Sequence, residues 1–321
     1  MKSITTQDQL SKELKKKAQE EGFNPVGIAT IPGSKRLKLR TAALERWLNA
    51  DYQADMTWMK APRRKNIESL LEGVQSLLVV GLNYHVNTQQ KAEALSIARY
   101  AWGRDYHKVI EKRLKRIGRW IKKQRPNCHW KICVDTAPLL DKAWAEEAGI
   151  GWIGKHSNLI HPKRGSWMAI GSLLCTEPLT PDKPAKSLCG RCKACIESCP
   201  TAAISEPFVI DARRCIAYHN IENRNASIPE EIKSSMGAWV AGCDICQEAC
   251  PWNQKKLPNS LDEDMIPRDW ILKLTKEQAL SWNDEDWNEK LRGSALKRIK
   301  PWMWRRNANA TSIKHPDLNL K

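Results

Sequence analysis

Apolar positions near the N-terminus recur every fourth residue. Leu10, Leu14 and Ala18 within Gln7–Glu21 predict a helix that starts after Thr6 and stops at Gly22. The unbroken apolar run around Leu77–Leu82 predicts a buried strand over Ser76–Gly81. Asp105 stands where a helix N-cap belongs, and Val109, Ile110, Leu114, Ile117 and Ile121 then form one apolar stripe of a long helix. A strand is predicted over His129–Asp135. Thr136, Ala137 and Pro138 follow it, with Pro138 suited to the first turn of a helix that ends at Gly149. Ser166–Leu174 is predicted as another strand, and Pro178–Pro184 as a connector at a domain boundary. Tryptophans 270, 282, 287, 302 and 304 among charged residues predict an ordered C-terminal cap.

Composition changes the picture in two places. The chain of 321 residues carries a formal net charge of +17, which points to a polyanionic partner such as nucleic acid. The segment from Arg104 to Arg125 holds ten Lys and Arg against two acids, so the long helix is expected to present a basic face. No apolar run approaches the ~20 residues that cross a bilayer. The N-terminus shows no secretory or lipidation pattern, and a cytoplasmic location away from membranes is expected. Eight of the eleven cysteines lie between Cys189 and Cys250. Such clustering without a signal peptide argues for metal binding rather than disulfides.

Cys189, Cys192, Cys195 and Cys199-Pro200 follow the C-x2-C-x2-C-x3-C-P spacing of a [4Fe-4S] ferredoxin, in which the last cysteine serves the other cluster. The second run, Cys243, Cys246 and Cys250-Pro251, has Val240 where its first cysteine would be, so Cys215 is expected to substitute. The crossover then gives Cys189, Cys192, Cys195 and Cys250 to one cluster and Cys199, Cys215, Cys243 and Cys246 to the other. Two structural zinc sites are the alternative that these pairs also allow. Cys128, Cys133 and Cys175 are expected to be buried core thiols.

Two motifs mislead. Gly149-x-Gly151-x-x-Gly154 with Lys155 follows a helix rather than a strand, and His156 replaces the magnesium-binding hydroxyl, so it is not a nucleotide site. The loop Gly154–Leu159 remains a cofactor candidate. Asp105-Tyr106-His107 begins like the Asp-x-His-x-x-Gly signature of some cobalamin proteins, but Ile110 occupies the glycine position and leaves histidine ligation of cobalt unsupported. From the residues alone, Asp135 is expected to be a helix cap.

The runs from Tyr100 to His107 (YAWGRDYH), from Asp135 to His156 (DTAPLLDKAWAEEAGIGWIGKH) and from Gly293 to Asn307 (GSALKRIKPWMWRRN), taken with the cysteine pattern, resemble the epoxyqueuosine reductases. These are cobalamin-dependent iron-sulfur enzymes of the last step of queuosine biosynthesis in tRNA, related to reductive dehalogenases. The resemblance implies an α+β fold. A nitroreductase-like α/β cobalamin-binding domain would span 1–180, a ferredoxin-like module with two [4Fe-4S] clusters 181–258, and a helical C-terminal cap 259–321, without the helical-repeat extension of some members. It implies Asp135 as proton donor, with Arg64, Ala98, Asp135, Leu159, Ile170, Asp244 and Ile245 as cobalamin contacts. Burial beneath the corrin is expected to keep Asp135 protonated.

The implied substrate is a tRNA anticodon loop. Its phosphates would meet the basic helix, Arg213, Arg214, Lys297, Arg298, Arg305 and Arg306, and some of the fifteen tryptophans would stack on bases or corrin. Electrons would come from an external donor such as flavodoxin or ferredoxin with its reductase, and the chain would act as a monomer. Two alternatives stay open. One is a ferredoxin-type electron-transfer protein serving a partner enzyme; the other is a reductive dehalogenase-like enzyme, although an exported one would carry a twin-Arg signal.

Overall fold

Helix α1 (Gln7–Glu20) begins where Thr6 accepts a hydrogen bond from the Gln9 amide, at 3.1 Å, and ends at Gly22 in the left-handed region. It leads into β1 (Val26–Thr30) and α2 (Lys35–Asn49). The computed structural model describes residues 6–312. Next come β2 (Ser76–Asn83), the short β3 (Ser96–Ile97) and α3 (Tyr106–Gln124), capped by Asp105 as expected. Then follow β4 (Trp130–Cys133), α4 (Asp141–Glu147), the hairpin of β5 (Trp152–Ile153) and β6 (Leu159–Ile160), and β7 (Met168–Cys175).

Four strands form one antiparallel sheet in the order β1-β2-β7-β4. Both faces are covered, which is why β2 reads as a continuous apolar run. Leu78, Val80 and Leu82 pack with α1 and α3 on one face, while Leu77 and Val79 pack with α4 on the other. Close approach depends on missing side chains. A Cβ on Gly118 would lie 2.7 Å from the Trp130 ring, and one on Gly27 would lie 2.0 Å from the Ala148 carbonyl oxygen.

The cysteine-rich region carries α5 (Ala194–Glu197), the hairpin β8 (Ile204–Glu206) and β9 (Val209–Ile210), α6 (Glu230–Lys233), β10 (Trp239–Ala241) and α7 (Ile245–Glu248). Strand β10 pairs in parallel with β3. The end of the chain supplies α8 (Lys276–Ser281), α9 (Asp284–Lys290) and α10 (Pro301–Ala310). Their apolar faces form one cluster with Leu95, Ile97, Trp102 and Val240. Within it Trp282 stacks on Trp304, ring centroids 5.2 Å apart, so this segment completes an interior core.

The structure changes four expectations. The strand predicted over His129–Asp135 contracts to β4, and that over Ser166–Leu174 shifts to β7. The helix expected from Pro138 starts only at Asp141, because Asp135–Leu139 is spent on tight turns, with Thr136 N–H donating to Val134 O at 2.5 Å and Leu139 N–H to Ala137 O at 2.8 Å. The Pro178–Pro184 run is not a free linker. Leu179 is fully buried, the Thr180 amide donates to Ser11, and Asp182 binds Lys15 and the Ile28 amide.

Candidate active site and cluster-binding cysteines

Four of the eight clustered cysteines share one cavity. Cys189, Cys192, Cys195 and Cys250 line a cavity of about 120 Å³ together with Trp152's neighbour Trp252 and the loop residue His156. Cys215 lies within electrostatic reach of Cys199, Cys243 and Cys246, and Cys246 also of Cys199 and Cys195. Short helices after Cys192 and Cys243 hold the middle of each run, and Cys215 enters from the turn after Asp211. Among the described residues, no group of three or more His, Cys, Asp and Glu side chains could hold a single metal ion.

Donors already aim at the sulfurs. Trp152 Nε1 donates to Cys189 Sγ at 3.4 Å and the Ala203 amide to Cys199 Sγ at 3.3 Å. The amides of Tyr218 and Ala217 serve Cys215, and those of Trp252 and Asn253 serve Cys250. Burial pushes the Cys195 thiol up to about 11 and raises Cys215, Cys243, Cys246 and Cys250. Thiolates at these positions need a positive body among them, and amide donors fit sulfur ligands of an iron-sulfur cluster.

Asp135 stands at the other focus. It follows β4 with φ of +49°, a left-handed conformation uncommon outside glycine, asparagine and aspartate. It caps no helix, since the N-cap of α4 is Leu140. The tight turns instead present its side chain to solvent, 61% exposed, and Oδ2 lies 3.1 Å from His107 Nε2. That hydrogen bond outweighs desolvation and holds the Asp135 carboxyl below its usual range. Among the protein's own groups the paired imidazole outweighs burial in setting its charge.

Burial opposes the charge of His107, but hydrogen bonds to Asp105 at 2.7 Å and to Asp135 prevail and raise it to about 9. Helix α3 fixes this geometry, since Asp105 caps the helix and grips the ring two residues later. Asp141, at the start of α4, has a buried Oδ1 without a partner and is pushed up to about 8 by desolvation and by the Asp135 charge. Lys142 binds Ser157 O and Asn158 Oδ1 and lies in electrostatic reach of both Asp135 and Cys246.

A family model described as "Epoxyqueuosine reductase QueG, DUF1730" matches residues 64–136, and one for a "4Fe-4S double cluster binding domain" matches residues 188–253. An epoxyqueuosine reductase of Synechococcus sp. (strain CC9605) is 66% identical over 304 residues, covering 95% of this chain and 95% of that protein. The chain belongs to the epoxyqueuosine reductase family. The relative from Prochlorococcus marinus (strain NATL2A) is 60% identical, covering 95% of this chain and 98% of its own. A crystal structure of epoxyqueuosine reductase with an epoxyqueuosine-modified tRNA-Tyr stem loop superposes with TM-score 0.83 at 28% identity, over 94% of this chain and 80% of that one. The Bacillus subtilis enzyme, whose aspartate-bearing catalytic loop is swung out of its active site, gives TM-score 0.81 at 26% identity, again over 94% and 80%.

The other residues singled out from sequence fall as follows. Ala98 and Asp244 meet where the Arg99 amide donates to Asp244 Oδ2 at 2.7 Å, and Ile245 is buried beside them. A Cβ on Gly242 would lie 2.5 Å from the Ala98 Cβ. Leu159 is buried against the α4 face of the sheet, with Ile170 packed on it. Arg64 donates to Leu139 O at 3.4 Å, just after the Asp135 turn. Cys128, Cys133 and Cys175 are buried as expected. Gly151 and Gly154 of the motif serve close packing in the β5–β6 hairpin, where a Cβ on Gly151 would lie 2.2 Å from Ile160 O, and Gly149 approaches the Lys183 carbonyl.

Several of the arginines expected on the basic footprint also have partners within the protein. Arg113 is engaged by Asp262 and Asp264, Arg116 by Glu21, Arg213 by Asp211 and Arg305 by Asp284. Arg306 donates to the carbonyls of His219, Asn223 and Asn225, tying α10 to the cysteine-rich region. Sequence reasoning also passed over His107, whose contact with Asp135 spans 28 residues and leaves no periodic trace, and Asp141, whose coupling to Asp135 appears only once burial is known.

Proposed function

We infer that this chain reduces epoxyqueuosine to queuosine in a tRNA anticodon loop, with Asp135 as the proton donor. The observation that carries this reading is an exposed Asp135 paired with His107, with Lys142 in electrostatic reach of both Asp135 and Cys246, in a chain of the epoxyqueuosine reductase family. The balance of the reaction is two electrons and two protons taken up. Both C–O bonds of the epoxide break, a C=C bond forms, and the oxygen leaves as water.

Cys189, Cys192, Cys195 and Cys250 would hold one [4Fe-4S] cluster, and Cys199, Cys215, Cys243 and Cys246 the other. Two orphaned buried atoms fit a large cofactor rimmed with amides: Asp141 Oδ1 and His156 Nε2, each near Lys142. Ala98, Leu159, Ile170, Asp244 and Ile245 would give cobalamin apolar and backbone surface. Arg64 lines a cavity of about 300 Å³ with Leu139, Leu140 and Trp144, which supports it as a contact for part of the same cofactor. When bound, the clusters pass single electrons inward and cobalamin supplies the reducing centre at the substrate carbon.

The residues manage the proton. Ionised Asp135 cannot donate by itself, but His107 carries a proton up to about pH 9 at hydrogen-bond distance. The epoxide oxygen takes its proton from Asp135, which draws on His107, and Asp105 holds the ring in place throughout. Residues 1–180 would form the cofactor-binding catalytic part, 181–258 the ferredoxin-type part and 259–321 the cap. No helix among the described residues is long and apolar enough to cross a membrane, in keeping with a cytoplasmic enzyme fed by an external reductase. The test is anaerobic reconstitution with iron, sulfide and cobalamin, then reaction with an epoxyqueuosine stem loop. Loss of one oxygen from the RNA mass is expected; an unchanged mass with intact cofactors and reductant overturns the reading.

A further inference from the structure

The segment Thr57–Asn66 (TWMKAPRRKN) contains no acid and folds as short 3-10 turns, the second starting at Pro62. Trp58 stands on the first turn with 42% of its surface open to solvent, although an exposed indole gains nothing from the hydrophobic effect. Its place is fixed from two sides. Arg64 Nε donates to the Trp58 carbonyl at 3.3 Å, and the Arg298 guanidinium lies 5.1 Å from the indole centroid. Arg298 is itself clamped by Glu222, donating from Nε to Oε1 at 3.1 Å and from Nη2 to Oε2 at 2.6 Å, and lies within electrostatic reach of Asp135. Trp58 is therefore a rigid aromatic surface backed by a cation at the edge of the catalytic aspartate's surroundings.

Lys60 and Arg63 stand beside it, exposed, and among the described residues neither side chain has a hydrogen-bond or ion-pair partner. An aromatic plane flanked by unpaired cations matches single-stranded nucleic acid, whose bases stack while the neighbouring phosphates take the charges. We propose that Trp58 is the stacking platform for a nucleobase of the RNA loop next to the base being reduced, with Lys60 and Arg63 on the flanking phosphates. This positioning role rests on the RNA reading above. It gives a physical means of keeping a loop splayed while one base enters the site.

The test uses the full chain reconstituted with its cofactors and a labelled tRNA anticodon stem loop, intact or abasic at single positions beside the substrate base. Trp58→Ala should weaken binding of the intact loop roughly ten-fold at every salt concentration. The slope of log affinity against log salt should not change, since no phosphate contact is lost. Trp58→Phe should recover most of the loss. One abasic loop should bind the wild type about as weakly as the intact loop binds Trp58→Ala, with no further loss in the combination. Equal binding of the intact loop by wild type and Trp58→Ala overturns the proposal, as does weakened cobalamin retention without an RNA effect. If the wild-type holoenzyme binds no stem loop, the RNA reading itself fails.

Discussion

Asp135 and His107 form a pair whose charge depends on each partner's presence. Asp135 has a lowered pKa, so its share of the ion pair's stability is present above the ordinary carboxylate pKa of ~3.9 and is lost as pH falls through the lowered value. His107 is raised to about 9, so its share is complete below ~6.5 and is lost as pH rises through about 9. Single-turnover rates should accordingly decline above about pH 9, as the proton reservoir empties. Asp135→Asn should retain both clusters while turnover drops by ~10²–10⁴. His107→Gln should raise the pKa of Asp135 and displace the alkaline limb of the pH profile. A pH profile for His107→Gln that superposes on the wild type would remove His107 from the proton path. Cys215 allows a separate check at the same scale. Cys215→Ser should fall from about eight to about four irons per chain, whereas Cys175→Ser, in the core, should keep all of them.

At the scale of elements, the central sheet is held by close contacts that tolerate no added volume. Gly27 on β1 faces the last turn of α4, and the atom in the way is a backbone oxygen, which cannot swing aside as a side chain would. Gly27→Ala should therefore push α4 off the sheet and cost ~1–3 kcal/mol in urea unfolding. Because α4 begins six residues after Asp135, the same variant should also slow turnover. A midpoint unchanged from wild type would mean that β1 and α4 are looser than their contacts indicate. Helix α3 works in the opposite sense: its apolar stripe is buried against β7 and β4, and its capped first turn delivers His107 to Asp135. One element thus joins core packing to the proposed proton path.

Across the whole molecule, the +17 charge divides into cations that hold the fold and cations free to meet RNA. Arg113 joins α3 to Asp262 and Asp264, whereas Lys112, Arg119 and Lys123 on the same helix are exposed. Replacing those three by glutamine should lower the slope of log affinity against log salt by ~0.7–0.9 for each phosphate contact removed, on any tRNA alike. Arg113→Gln should instead lower stability more than it changes the slope. A slope unaffected by the triple variant would place the RNA on another face.

Residue spacing was enough to reveal the local features: α1 with its Thr6 cap, the doubly buried β2, the Asp105-capped stripe of α3, and two cysteine runs. Each depends on neighbours within a turn, a strand or a short loop, where the covalent chain itself sets the distances. The resemblance carried by the runs around Asp135 and Gly293 reached the family, but not how its residues meet. The pairing of His107 with Asp135 and the diversion of Arg113 and Arg306 into internal contacts depend on groups far apart in sequence. The ionisation of Asp135 follows from that pairing. Those meetings arise only when packed helices and the antiparallel sheet bring distant segments to within hydrogen-bond distance, where one partner's field decides the other's charge.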